Sequence, residues 1–154
     1  MGVLIPGLTV VVGWILALLG VSSIGADQGT LAGDAMQWML FLPGGVMFLV
    51  SAFMHTVLAK GTAKQIGWET NGFQYEIGFV SLGLGIAGIV AAASDPAAWW
   101  PIAIAQGVFL ALCAVNHVRE MRTTRNFAPG NTLILIYDIG LPVSYLALYF
   151  ALRG

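Results

Sequence analysis

The stretch Lys60-Gly-Thr-Ala-Lys-Gln-Ile-Gly-Trp-Glu-Thr-Asn-Gly-Phe-Gln-Tyr-Glu76 is the longest polar interval in a chain that is otherwise almost continuously apolar. Apolar runs flank it on both sides; one ends at His55 and the other begins at Phe73. Only 8% of the residues are charged, whereas a soluble domain usually carries about 25%, and the mean hydropathy is +0.88. Such a chain lacks the polar residues needed to cover a globule in water, so the sequence predicts an α-helical membrane protein.

Apolar runs of about 20 residues recur along the chain, and a helix of that length crosses roughly 30 Å of hydrocarbon. We therefore expect an all-α polytopic transmembrane bundle that forms a single domain over residues 1–154. The pattern predicts about five spans, at residues 3–23, 36–58, 73–93, 99–118 and 133–152. Two of the connecting loops hold basic residues, namely Lys60, Lys64, Arg119, Arg122 and Arg125. The positive-inside rule then predicts a cytoplasmic N-terminus.

Two features inside the spans predict how the helices pack. Pro43-Gly44-Gly45 interrupts the second span and predicts a kink whose freed backbone groups must be satisfied by neighbouring helices. Small residues in the third span recur at spacings of three and four residues, so they form one stripe that lets membrane helices approach closely. The members of this stripe are Gly78, Ser81, Gly85, Gly88 and Ala92. We expect the stripe to pack against another helix, in the same chain or in a partner.

Composition excludes several classes of function. The formal net charge is −1 and no basic stripe exists beyond the loops, so a nucleic-acid partner is not expected. The single cysteine, Cys113, lies in an apolar run, which rules out an internal disulfide and a soft thiolate metal site. The lipid bilayer is the one partner that the composition requires, and the sequence identifies no cofactor.

Three short motifs and a later aspartate occur in a recognisable order. They are Ala63-Lys-Gln-Ile-Gly-Trp68, Phe73-Gln-Tyr-Glu-Ile-Gly78, Asn126-Phe-Ala-Pro-Gly-Asn131 and Tyr137-Asp138. Together with His55, and over roughly residues 45 to 150, they resemble a family of small bacterial integral membrane proteins of unknown function. The first span has no counterpart in that pattern. The resemblance implies a multi-span helical bundle in the bacterial inner membrane, and it implies no established activity.

Ionisable residues near the span ends are the most informative pattern in the chain. Given the predicted topology, they lie at a similar depth on the cytoplasmic side. An ionisable group inside a span is costly and usually faces the bundle interior, a partner or water. With two neighbouring amides, the predicted polar cluster comprises His55, Gln74, Glu76, Asn116, His117, Glu120 and Asp138. We expect the polar intervals 60–76 and 116–131 to meet at this edge, through loops that contain Trp68, Asn126, Pro129 and Asn131.

One interpretation of this cluster is structural. Glu76 and Asp138 would pair with Lys64, Arg119 or Arg122, while nearby amides satisfy the loop backbone and the helix ends. The protein would then be a non-enzymatic structural or accessory subunit, packed against itself or within a larger membrane complex. This is the role that we favour from the sequence alone.

Three further interpretations remain open. The first is a metal site, or a haem held between the two histidines, in a membrane redox protein. Its ligands would be His55, Glu76, His117 and Glu120. The second is a proton-coupled transporter of small solutes, in which Glu76, Asp138 and His55 accept protons. The third is acid–base catalysis on a lipid or quinone, with His117 or Glu76 as the base.

Overall fold

The computed structural model describes residues 2–153, and within this range no residue lies in a β-strand. A short 3-10 turn, Gly2–Leu4, precedes the first α-helix. The α-helices are α1 (Ile5–Leu18), α2 (Leu31–Phe41), α3 (Met47–Thr56), α4 (Ala59–Ile66), α5 (Gly72–Ala92), α6 (Trp99–Thr123), α7 (Pro129–Thr132) and α8 (Leu135–Ala151). The predicted all-α fold is therefore confirmed.

Four continuous helical segments are long and apolar enough to cross a membrane. They are Leu31–Thr56, Gly72–Ala92, Pro96–Thr123 and Pro129–Ala151. These segments overlap the last four predicted spans. The second span starts five residues earlier than predicted, because the Thr30 side chain caps α2 by accepting a hydrogen bond from the Gly33 N–H at 3.2 Å. The chain is thus a polytopic helical membrane protein.

The first predicted span, residues 3–23, is shorter in the structure. Its helical part, Gly2–Leu18, is an apolar segment below the length of the other four. At 1.5 Å per residue it covers about 25 Å, which is less than the roughly 30 Å of a hydrocarbon core. A fifth span therefore remains a prediction, and so does the orientation of the N-terminus.

The Pro-Gly-Gly sequence in the second span produces a π-helical break, Leu42–Val46, that joins α2 to α3. Polar side chains from two other helices satisfy the backbone carbonyls of this break. The Tyr137 hydroxyl donates to the Pro43 carbonyl at 2.6 Å, and the Gln106 amide donates to the Gly44 carbonyl, also at 2.6 Å. In hydrocarbon no water is available for this task, so the neighbouring helices supply the donors.

The small-residue stripe of α5 is buried against the segment formed by α2 and α3. A Cβ added at Gly88 would lie 2.5 Å from the Gly44 carbonyl oxygen, and one added at Gly85 would lie 2.9 Å from the Leu49 nitrogen. The whole stripe is buried, namely Gly78, Ser81, Gly85, Gly88 and Ala92. The predicted close approach is confirmed, and the stripe is used within the chain rather than offered to a partner.

Candidate functional site

The two polar intervals meet at one end of the bundle. The Asn126 side-chain amide donates to the Ile66 carbonyl at 2.9 Å, which ties the loop after α6 to the end of α4. Next to this contact, a Cβ added at Gly130 would lie only 2.6 Å from the Gln65 carbonyl oxygen. Pro129 begins the short helix α7, which holds this second loop against α4. The loops therefore cover the ends of α6 and α8, where the histidine and the aspartate lie.

His117 is the centre of the buried polar group. It lies on α6, and its Nδ1 atom is 2.7 Å from the Asn131 side-chain oxygen. The Asn131 amide nitrogen donates to the carbonyls of Asn126 at 2.9 Å and of His117 itself at 3.3 Å. Because both donors of this amide are directed at carbonyls, its oxygen must face the imidazole as an acceptor. His117 therefore carries a proton on Nδ1, and its Nε2 atom is left for a second partner.

Asp138 faces that second nitrogen. One of its carboxylate oxygens, Oδ2, lies 3.7 Å from His117 Nε2, and both side chains are nearly inaccessible. This oxygen has no hydrogen-bond partner within residues 2–153. The distance is within the range of an ion pair but longer than a direct hydrogen bond. A buried carboxyl group opposite a buried imidazole nitrogen can hold a single proton on either partner.

An aromatic side chain from another element covers this pair. Trp68, in the loop after α4, stacks on the His117 ring with centroids 5.4 Å apart and planes inclined by 22°. His55 lies in the last turn of α3. The Trp68 Nε1 and His55 Nδ1 atoms are buried without a hydrogen-bond partner in the described part of the chain. The pair is thus covered by a loop aromatic residue.

The other predicted cluster residues lie at the periphery. Glu76 and Asn116 are exposed. Glu120 is partly exposed and accepts a hydrogen bond from the Thr124 hydroxyl at 3.0 Å. Gln74 donates through its side chain to a backbone carbonyl of α4 at 2.8 Å. The predicted cluster therefore divides into a buried pair, His117 on α6 and Asp138 on α8, and a set of residues that are exposed or partly exposed.

The predicted ion pairs between acidic residues and basic loop residues do not form. Across residues 2–153, the His117–Asp138 contact is the one approach within 4.0 Å between a basic and an acidic side chain. Glu76 therefore has no basic partner, and Asp138 faces an imidazole rather than Lys64 or an arginine. The reason is placement: Asp138 is buried on α8, whereas the lysines and arginines of the loops are exposed.

The predicted metal-ligand set is not assembled either. No group of three or more histidine, cysteine, aspartate or glutamate side chains converges within the described residues. Glu76 is exposed, and Glu120 hydrogen-bonds to Thr124 at its own helix end, so neither carboxylate joins a ligand set with the histidines.

Buried polar residues deeper in the bundle escaped the sequence interpretation. Gln106 is fully buried on α6, where its amide also donates to the Leu84 carbonyl at 3.0 Å. Its side-chain oxygen accepts from the Tyr145 hydroxyl at 2.5 Å. A glutamine at the centre of an apolar span is itself a signal, because such a group must find partners in the bundle. Together with Tyr137 it donates hydrogen bonds to the backbone carbonyls of the break between α2 and α3.

Comparison with models of protein families identifies the family of this chain. A family model described as a family of unknown function (DUF6790) matches residues 4–154. The match includes the first helix, which the motif resemblance left out. No curated protein and no solved structure matches the chain.

Proposed function

Since the chain belongs to this family of unknown function, we propose its role from its own residues: it is a multi-span membrane protein that binds and releases a proton at the His117–Asp138 pair. The observation that carries the proposal is the buried 3.7 Å approach of His117 Nε2 to Asp138 Oδ2. Of the functions considered from the sequence, this belongs to the proton-coupled class; Asp138 keeps its predicted role, and His117 takes the place of Glu76 and His55.

The hydrogen-bond network around the pair supports this assignment. The Asn131 side-chain oxygen accepts the Nδ1–H hydrogen bond of His117, so Nε2 and the Asp138 carboxyl group are the two positions for an exchangeable proton. With one proton between them, the pair is neutral overall, either as imidazolium and carboxylate or as imidazole and carboxylic acid. Loss of that proton leaves an uncompensated buried negative charge, which is costly in an apolar interior. Proton exchange at this site is therefore linked to a change in its burial.

The Trp68 loop is the element that can provide such a change. Its indole covers the His117 ring, and next to it the Asn126 side chain, in the loop between α6 and α7, donates to the Ile66 carbonyl at the end of α4. Movement of this loop would expose the imidazole to the side that carries Lys60 and Lys64. By the positive-inside rule we assign that side to the cytoplasm, and from the motif resemblance we assign the membrane to bacteria.

The first test measures the histidine tautomer. The chain contains two histidines, so His55→Gln leaves a single imidazole for nitrogen NMR of the histidine-labelled protein in lipid nanodiscs. We expect the neutral form of His117 to carry its proton on Nδ1, because Asn131 accepts that proton. Asn131→Ala should shift the population toward the Nε2–H form. A dominant Nε2–H form in the protein that retains Asn131 would contradict the assignment.

The second test measures proton uptake in liposomes after a pH jump. We expect Asp138→Asn and His117→Gln each to abolish the uptake, because the partner left behind would have to bear an unpaired buried charge on gaining or losing a proton. Glu76→Gln is the matched control, since it removes an exposed carboxylate near the same end of the bundle. Uptake that survives Asp138→Asn and disappears with Glu76→Gln would refute the proposal.

The structural or accessory role that the sequence favoured remains an alternative prediction. The α5 stripe does not support it, because those small residues pack within the chain. Self-association or binding to a larger complex would have to use another face. Co-purification of a fixed partner at unit ratio, with proton uptake absent, would favour this role over proton binding.

A further inference from the structure

A second feature lies outside the buried pair, in a groove between α6 and α8. It has a volume of about 490 Å³ and opens to the outside of the bundle. Its lining combines apolar side chains with two guanidinium groups and one hydroxyl. The lining residues are Ala114, Val115, Val118, Arg119, Arg122, Thr123 and Ile139.

The groove has one apolar end and one basic end. Val115 and Ile139 are 63% and 50% exposed, so they offer hydrocarbon surface to whatever fills the groove. Arg119 and Arg122 lie one helical turn apart toward the end of α6 and therefore project from the same face. The sequence of α6 is apolar up to this point and polar beyond it, which places the arginines at the membrane edge.

The two arginines have no acidic partner. Within residues 2–153 neither guanidinium lies within 4.0 Å of a carboxylate, because the sole such contact is that of His117 with Asp138. Glu120 lies between them in sequence but accepts from the Thr124 hydroxyl instead. Guanidinium groups match phosphate oxygens in geometry as well as charge. The groove therefore presents an unneutralised phosphate-binding end next to a surface for an acyl chain.

We propose that this groove is a binding site for one anionic phospholipid, whose phosphate contacts Arg119 and Arg122 and whose acyl chain lies along Val115, Val118 and Ile139. Basic pockets at the edge of transmembrane helices recognise acidic lipids in this way. The assignment is independent of proton binding, because neither His117 nor Asp138 lines the groove.

The test is native mass spectrometry of the full chain, released from nanodiscs that contain phosphatidylglycerol and phosphatidylcholine in equal amounts. We expect one phosphatidylglycerol molecule to be retained in preference to phosphatidylcholine. The Arg119→Gln/Arg122→Gln variant should bind it about 30-fold more weakly, since each arginine near an acidic lipid contributes roughly one kcal/mol. Inorganic phosphate added in excess should not displace the lipid, because it cannot occupy the apolar end.

Two further variants distinguish lipid binding in the groove from non-specific attraction of the lipid to basic residues at this end of the bundle. Lys60→Gln/Lys64→Gln removes the same charge from the same end of the bundle, but Lys60 and Lys64 do not line this groove. We expect it to leave phosphatidylglycerol binding within about twofold of the unmodified protein, as expected of screened surface charges outside the site. Val115→Trp should fill the groove and lower binding with both arginines intact. Equal losses in the lysine and arginine variants, or no effect of Val115→Trp, would overturn the proposal.

Discussion

Replacing Gly88 by alanine tests whether the close contact between α5 and the α2–α3 segment determines the fold. The new Cβ would lie 2.5 Å from the Gly44 carbonyl oxygen and 2.8 Å from Gln106 Nε2, where van der Waals contact needs about a further ångström. Both neighbours are constrained, since one is backbone and the other donates to that same carbonyl at 2.6 Å. The helices must therefore move apart, and the Gln106 hydrogen bond must lengthen.

Three contributions set the change in the free energy of unfolding that Gly88→Ala should cause. Overpacking a tight contact costs about 1–3 kcal/mol, and loss of the Gln106–Gly44 hydrogen bond costs about 1 kcal/mol. Alanine gains about 1 kcal/mol over glycine in helix propensity. We therefore expect Gly88→Ala to lower the free energy of unfolding by about 2 kcal/mol.

The assay is equilibrium unfolding in mixed micelles, followed by circular dichroism as the denaturing detergent is increased. Gly83→Ala is the matched control, because it lies on the same helix and its added Cβ would have no neighbour within 4 Å. We expect the control to stabilise the protein by up to about 1 kcal/mol through helix propensity alone. If the two variants unfold at the same detergent fraction, the helices do not approach at Gly88 and the reasoning is wrong.

Two further predictions concern stability and use the same assay. Tyr145→Phe removes the hydroxyl that donates to Gln106 at 2.5 Å in a buried site, so it should lower the free energy of unfolding by about 1–3 kcal/mol. The control Tyr149→Phe changes a partly exposed ring and should alter this free energy by less than about 0.5 kcal/mol. Equal effects of the two variants would contradict a buried hydrogen bond at Tyr145. Gly67→Ala forces an alanine to adopt φ of +82° at the end of α4 and should lower the free energy of unfolding by about 1 kcal/mol or more. The control Gly61→Ala has open space around its added Cβ and should be neutral or stabilising. A neutral Gly67→Ala would mean that the left-handed turn before Trp68 is not required.

Sequence patterns predict the approximate depth of the site residues but not their contacts. Their approximate depth follows from the ends of apolar runs, so the sequence predicts that His117 and Asp138 lie near one edge of the membrane. Their partners do not follow, because helical rotation decides which way each side chain points. Glu76 and Glu120 lie at a similar distance from span ends, yet one is exposed and the other hydrogen-bonds at its own helix end. Only the rotation of α6 and α8 brings the imidazole and the carboxylate together.

The sequence by itself determined the membrane class, the helical architecture and the small-residue face of α5. Those properties depend on the local match between side chains and hydrocarbon, and on the need of each segment to satisfy its own backbone hydrogen bonds. Tertiary structure decided which buried polar groups pair: Asn131 with His117, His117 with Asp138, and Gln106 with the break after α2. Such pairs join residues far apart in the chain, and their geometry is set by how helices cross rather than by any spacing along the sequence.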